Sequence, residues 1–201
     1  MRIRFPVFLT QIKKKELYEG MNKVHNILNE NNIPYFAICG TLLGVIRDRE
    51  IIPWDDDIDI GILSEDMDRF NNIDFTKYNL FSRPVTDFGI GKVFTSPKMD
   101  TYIDIFAFRK NEKDNVYEYV HESARKAWPN EYFKTEELFP LKLYNFDKIK
   151  IQGPNKFEPY AKRSWGNWEK PVFKIPKIFL YPIDFGRIYM TKKYNVLKDE
   201  K

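Results

Sequence analysis

Residues Gly40 to Ile62 read GTLLGVIRDREIIPWDDDIDIGI, and the end of that stretch decides the fold. Asp57-Ile58-Asp59-Ile60 alternates acid and aliphatic with a period of two, the period of a strand with one polar and one apolar face. Both carboxylates therefore project from the same side. Residues two apart on a strand are separated by about 6.6 Å, so their carboxylates can converge on cations spaced about 3.5 to 4 Å apart.

Upstream, Tyr35 to Cys39 is a short apolar run that passes directly into Gly40-Thr41, and Thr41 to Arg47 reads as a brief helix. A strand-to-helix turn of this kind presents free backbone N–H groups, and glycine admits a close approach, which suits a phosphate. Before it, residues 10–31 place Ile12, Leu17, Met21, Val24, Ile27 and Leu28 on one helical stripe. Downstream, Ser64-Glu65-Asp66 is a helix start, with a capping hydroxyl and two acids that suit the helix dipole. That helix is expected to reach about Asn71. Gly91 to Thr95 and Thr101 to Phe108 read as strands, and in the second a single acid, Asp104, interrupts an otherwise apolar sequence. Lys148 to Gln152 is a further strand, with turns at Gly153-Pro154 and Gly166. Together these predict an α/β (α+β) domain with a small mixed sheet flanked by helices, occupying 1–201 as one unit.

Composition narrows the function classes. A chain of 201 residues builds one well-buried core rather than two domains, and 43% hydrophobic with 31% charged residues belongs to a globular protein. The net charge of +4 is spread along the sequence, without the basic stripe of a nucleic-acid binder, so no nucleic-acid partner is expected. Cys39 is the single cysteine, which excludes an intrachain disulfide and a thiolate metal site and points to a cytoplasmic setting. No run approaches the roughly 18 apolar residues that cross a bilayer, which leaves peripheral contact as the only form of membrane association. Residues 170–201 mix lysines, aromatics and Pro171, Pro176 and Pro182; the expectation is an arm packed across the domain.

Three acids on buried strands demand a counter-charge, because like charges in a low-dielectric site repel one another and resist desolvation. Asp57, Asp59 and Asp104 are accordingly the candidate metal ligands and catalytic residues. Hard oxygen donors without histidines or thiols select Mg²⁺ or Mn²⁺ over zinc. Asp55 and Asp56 rank below them as braces of the Pro53-Trp54 turn. His25 and His121 have no metal-ligand spacing. Arg47 and Lys92 are cations placed to meet a phosphate, with an ordinary surface cation as the alternative for each.

The stretch Gly40 to Ile62 closely resembles the signature of the LicD and fukutin-related family, which transfers phosphocholine or ribitol phosphate and belongs to the nucleotidyltransferase-fold superfamily. The family's glycine-hydroxyl turn matches Gly40-Thr41, its Asp-x-Asp strand Asp57 to Asp59, its later acid strand Asp104 within YIDIF, and its arginine Arg47. NNIPYFAICG and, more loosely, IQGPNKFEPYAKRSWGNW extend the match over most of residues 10–170. Trp165, Gly166 and Trp168 are placed by it on the acceptor side, with core packing as the stronger reading. The sequence departs from the family pattern at Asp48 and Glu50, where a histidine and a glycine are usual. The resemblance implies a donor in which a small alcohol is linked to CDP, a glycan or glycoconjugate acceptor and CMP as the leaving group. Two alternatives stand beside it: transfer of a nucleoside monophosphate from an NTP with release of pyrophosphate, and a non-catalytic nucleotide-binding module.

Overall fold

A computed structural model describes residues 9–86 and 89–169. The arm expected over 170–201 lies outside the described residues. The chain runs α1 (Gln11–Glu30), β1 (Tyr35–Ala37), α2 (Cys39–Leu43), β2 (Ile58–Leu63), α3 (Met67–Asn71), β3 (Phe81–Arg83), β4 (Ile90–Phe94), β5 (Tyr102–Asn111), β6 (Val116–Tyr119), α4 (Glu122–Ala127), β7 (Phe133–Lys134), α5 (Thr135–Leu138), β8 (Lys142–Phe146), β9 (Ile149–Gly153) and α6 (Glu158–Trp165). Strands β1-β2-β5-β4-β3 lie side by side in that order, while β6 adds to β5 and β7 to β6. β2 and β5 are parallel, and the other pairings are antiparallel. The sheet is mixed, with helices packed around it in a single domain, as the α/β reading predicts.

Helix α1 starts where Thr10 accepts the Lys13 N–H on its hydroxyl at 3.3 Å. Its stripe packs as the spacing requires: Leu17, Met21, Val24, Ile27 and Leu28 are buried, and the helix lies against β5 and β9. Each fully buried side chain of this kind contributes about 1.5–3 kcal/mol. Ile12 is the exception at 72% exposed. At about 100° per residue it points away from the arc of the helix that holds the five buried residues.

The segment between β1 and β2 differs in detail from the expectation. β1 stops at Ala37, and Cys39 takes a left-handed backbone conformation (φ 49°) from which α2 begins. After Leu43 the helix widens to a π-helical turn over Gly44–Asp48, and Arg49 (φ 59°) reverses the chain. Gly44 makes that reversal possible. A Cβ placed there would lie 2.5 Å from the Glu50 carbonyl oxygen, a backbone atom that cannot rotate away.

At the core, the Phe36 ring lies edge-on to Phe108 and Phe133, and Phe133 stacks on Tyr160 with centroids 4.2 Å apart. Trp165 is 1% exposed and meets Tyr160 edge-on, so it is a core residue of α6 rather than part of an acceptor surface. Helix α6 is tied to α5 by the buried pair Arg163–Glu137 at 2.8 Å. The hairpin β8–β9 stands apart from the main sheet but packs on β1, where the Gln152 N–H donates to the Tyr35 hydroxyl at 3.2 Å.

Gly44→Ala is expected to destabilise the chain by about 1–3 kcal/mol, as overpacking does in a close-packed interior. At about 2–4 °C per kcal/mol for a chain of this size, differential scanning calorimetry should show Tm falling by several degrees, and an unchanged Tm would contradict the close approach described.

Candidate active site

The site is built on the one parallel strand pair. Asp59 on β2 lies directly opposite Asp104 on β5, and Asp104 lies directly opposite Lys92 on β4. Cross-strand partners share a face, so two acids and one ammonium form a row across the sheet. Asp57, two residues before Asp59, joins the same face. One carboxylate oxygen from each of Asp57, Asp59 and Asp104 falls within 4.8 Å of the other two. On the opposite face Ile58, Ile60, Ile103 and Ile105 are fully buried and anchor both strands.

The turn after β1 fixes the β2 end of the row. The Ile38 N–H donates to the Asp59 carbonyl at 3.2 Å, and the Asp59 N–H donates to the Thr41 hydroxyl at 2.8 Å. Thr41 is 3% exposed, so its oxygen acts on Asp59 from within the fold. Gly40 beside it is also buried, and α2 packs on β2.

Burial and mutual repulsion act on all three acids. The Asp57 carboxyl is pushed up to about 7, by desolvation first and then by Asp104 and Asp56, with Lys92 opposing the shift. Asp59 is held well above the usual carboxylate range by burial, Asp57, Asp55, Asp104 and Glu131. Burial also raises Asp104, against the pull of Lys92. The ammonium of Lys92 lies 2.7 Å from Asp104 Oδ1 and 3.2 Å from the centroid of the Tyr102 ring, a cation–π contact.

Arg47 and Asp48 make a bidentate pair, Nε donating to Oδ1 at 2.7 Å and Nη2 to Oδ2, with the Arg47 side chain 6% exposed. Glu50 is bound by Lys14 of α1 at 2.5 Å. The two positions that depart from the family pattern thus hold cations of the turn and of α1. For Arg47 to meet a phosphate it must exchange the Asp48 carboxylate for it.

Glu131 and Tyr119, near the site, escape a reading of the sequence. Glu131, in the loop before β7, accepts the Tyr119 hydroxyl at 2.8 Å and the Cys39 thiol at 3.2 Å on the same oxygen, and its charge contributes to the shift of Asp59. Burial keeps the Cys39 thiol protonated. Nothing in the local pattern of Glu131 signals this. Tyr102 was legible, because it lies two residues before Asp104 on the same strand face.

The donor set fits a hard divalent cation: three oxygen ligands with raised proton affinity, a single ammonium among them, and no imidazole or free thiolate. The mixed sheet and its flanking helices have the nucleotidyltransferase fold. Two solved structures of the antibiotic-resistance nucleotidyltransferase ANT(2")-Ia share it. The crystal structure with adenylyl-2"-tobramycin superposes with a TM-score of 0.51 at 12% identity, over 88% of this chain and 86% of that one. The solution structure superposes with a TM-score of 0.52 at 13% identity, over 92% and 90%. Within that fold the chain belongs to the LicD/FKTN/FKRP family, whose nucleotidyltransferase domain matches residues 32–156. It is 35% identical over 164 residues to an uncharacterised protein of Rickettsia typhi, RT0683, and 32% identical over 170 residues to an uncharacterised protein of Rickettsia prowazekii, RP689. These alignments take in 81% and 79% of this chain but 49% and 57% of those proteins, so the chain spans about half the length of these relatives. Among the described residues no helix is long and apolar enough to cross a membrane.

A carboxyl raised to about 7, against an ordinary value near 4, binds more protons in the folded than in the unfolded chain between those limits. The stability of the metal-free chain therefore falls as pH rises through that window. In EDTA, thermal unfolding should show a lower Tm at about pH 8 than at about pH 5, and millimolar Mg²⁺ should restore stability at the higher pH but not at the lower. Asp57→Asn should flatten the EDTA profile; a slope unchanged in that variant would place its origin elsewhere.

Proposed function

We propose that the chain is a divalent-metal-dependent transferase that moves a phosphorylated small alcohol, phosphocholine or a polyol phosphate, from a CDP-linked donor to a hydroxyl of a glycan or glycoconjugate. The observation that carries this reading is the row Asp57, Asp59 and Asp104 in a chain of the LicD/FKTN/FKRP family.

Asp57, Asp59 and Asp104 would hold Mg²⁺ or Mn²⁺, which when bound neutralises charge on the donor's diphosphate and aligns it for in-line displacement. The remaining work falls to the chain. Thr41 and the Ile38 backbone clamp the Asp59 backbone, so that part of the ligand set is positioned before any donor arrives. The buried start of α2 at Gly40-Thr41 offers backbone N–H groups to a phosphate oxygen, with Lys92 on the other side of the acid row. Arg47 contributes to donor binding on release from Asp48. In the transfer, the acceptor hydroxyl oxygen bonds to the phosphorus that carries the alcohol and the bond from that phosphorus to the oxygen of CMP breaks. CMP leaves with the electron pair, and the hydroxyl proton passes to Asp104, whose proton affinity burial raises. The partners are small molecules and glycans, with no nucleic acid.

The same triad serves nucleotidyl transfer, the second reading, and the bound adenylyl-tobramycin of one fold relative keeps it in view. The products separate the two. Incubation with CDP-choline, CDP-ribitol, CTP or ATP in Mg²⁺ or Mn²⁺, followed by phosphorus NMR, should show CMP from a CDP-alcohol. Pyrophosphate from an NTP, with no turnover of CDP-alcohols, would replace the reading by nucleotidyl transfer. Asp57→Asn and Asp59→Asn should each slow the reaction by about 100-fold or more, the scale of losing an electrostatic group from a preorganised site.

A further inference from the structure

Lys92 neutralises Asp104 without any metal. It faces Asp104 across the β4–β5 ladder, its ammonium forms an ion pair with Oδ1 at 2.7 Å although that buried oxygen accepts no hydrogen bond, and the face of Tyr102 covers the ammonium at 3.2 Å. Among the described residues no other lysine or arginine forms an ion pair with Asp57, Asp59 or Asp104. The three acids are therefore unequal: Asp104 has its own cation, held from two sides, whereas Asp57 and Asp59 have none.

We infer that Lys92 is a built-in counter-cation that holds the Asp104 end of the acid row, so that the free chain takes up a single divalent ion, at Asp57 and Asp59. The inference rests on the metal site of the proposed function and adds its occupancy. An ion on the Oδ1 side of Asp104 has to displace an ammonium that is both ion-paired and seated on an aromatic ring, and it meets the positive charge of Lys92 as it approaches. An ion between Asp57 and Asp59 faces no such competitor. The side chains of Lys92 and Asp104 are 24% and 18% exposed, so the exchange is open to solutes. In a loaded site an anionic phosphate offers the ammonium an alternative partner, which links entry of a second cation to arrival of the donor.

The test is a Mn²⁺ titration of the full chain without nucleotide, followed by the electron paramagnetic resonance signal of free Mn²⁺. The wild-type chain should bind one ion per chain. Lys92→Met and Lys92→Gln should bind two, with the second site tightened at least about tenfold, the lower end of what one nearby opposite charge does to a carboxylate. Lys92→Arg, which keeps the positive charge, should stay at one; thermal unfolding of each variant verifies the fold. Two equivalent ions on the wild-type chain, or a count of one that survives loss of the lysine charge, would overturn the inference and leave the metal reading of the site standing. No binding by the wild-type chain would remove both.

Discussion

Confinement of three carboxylates on adjacent parallel strands is the constraint on which the rest of the structure depends. β2 and β5 bury their isoleucine face completely, and that burial holds Asp57, Asp59 and Asp104 on the other face at a spacing the acids alone would not choose. The sheet stabilises what electrostatics opposes. Raised carboxyl proton affinities are the direct signature of the conflict, and a row of acids held together in this way can hold a metal ion.

Much of the surrounding structure serves to keep that strained row still. The turn from β1 into α2 donates to the Asp59 carbonyl and accepts from its amide, which places both backbone groups of Asp59 under the control of one short segment. That segment departs from regular geometry at Cys39, in the π-helical turn and at Arg49, and each departure has a partner nearby. Cys39 is hydrogen-bonded to Glu131 and Tyr119, Gly44 admits the Glu50 carbonyl, and Arg47 is closed onto Asp48. Irregular backbone beside rigid strands is the usual arrangement where a chain must approach a ligand closely.

Cations are distributed unevenly around the row. Lys92 lies inside it, Arg47 is held by Asp48, and Lys14 binds Glu50. Asp48, in the π-helical turn, and Glu50, the residue after its reversal, are each paired with a nearby cation. Their pairing with Arg47 and Lys14 offsets those charges locally.

The sequence by itself determined the features that depend on local periodicity. Acid–aliphatic alternation places Asp57 and Asp59 on one face whatever the sheet does next, and a lone acid in YIDIF stands out because its neighbours are apolar. The buried stripe of α1 follows from the same kind of reasoning, apart from Ile12, which lies off the buried arc of the helix and is exposed. Register is not local, and only the tertiary structure decided what it controls. A shift of one residue between β4 and β5 would take Lys92 away from Asp104, yet neither strand's own sequence specifies that alignment. Contacts between distant segments were hidden for the same reason: Glu131 comes to Asp59 across more than seventy residues of chain, and the Thr41 hydroxyl turned inward to a backbone amide rather than outward to a ligand. Side chains are chosen by the nearest charge or donor in the folded state, and that neighbour becomes known when the strands are paired.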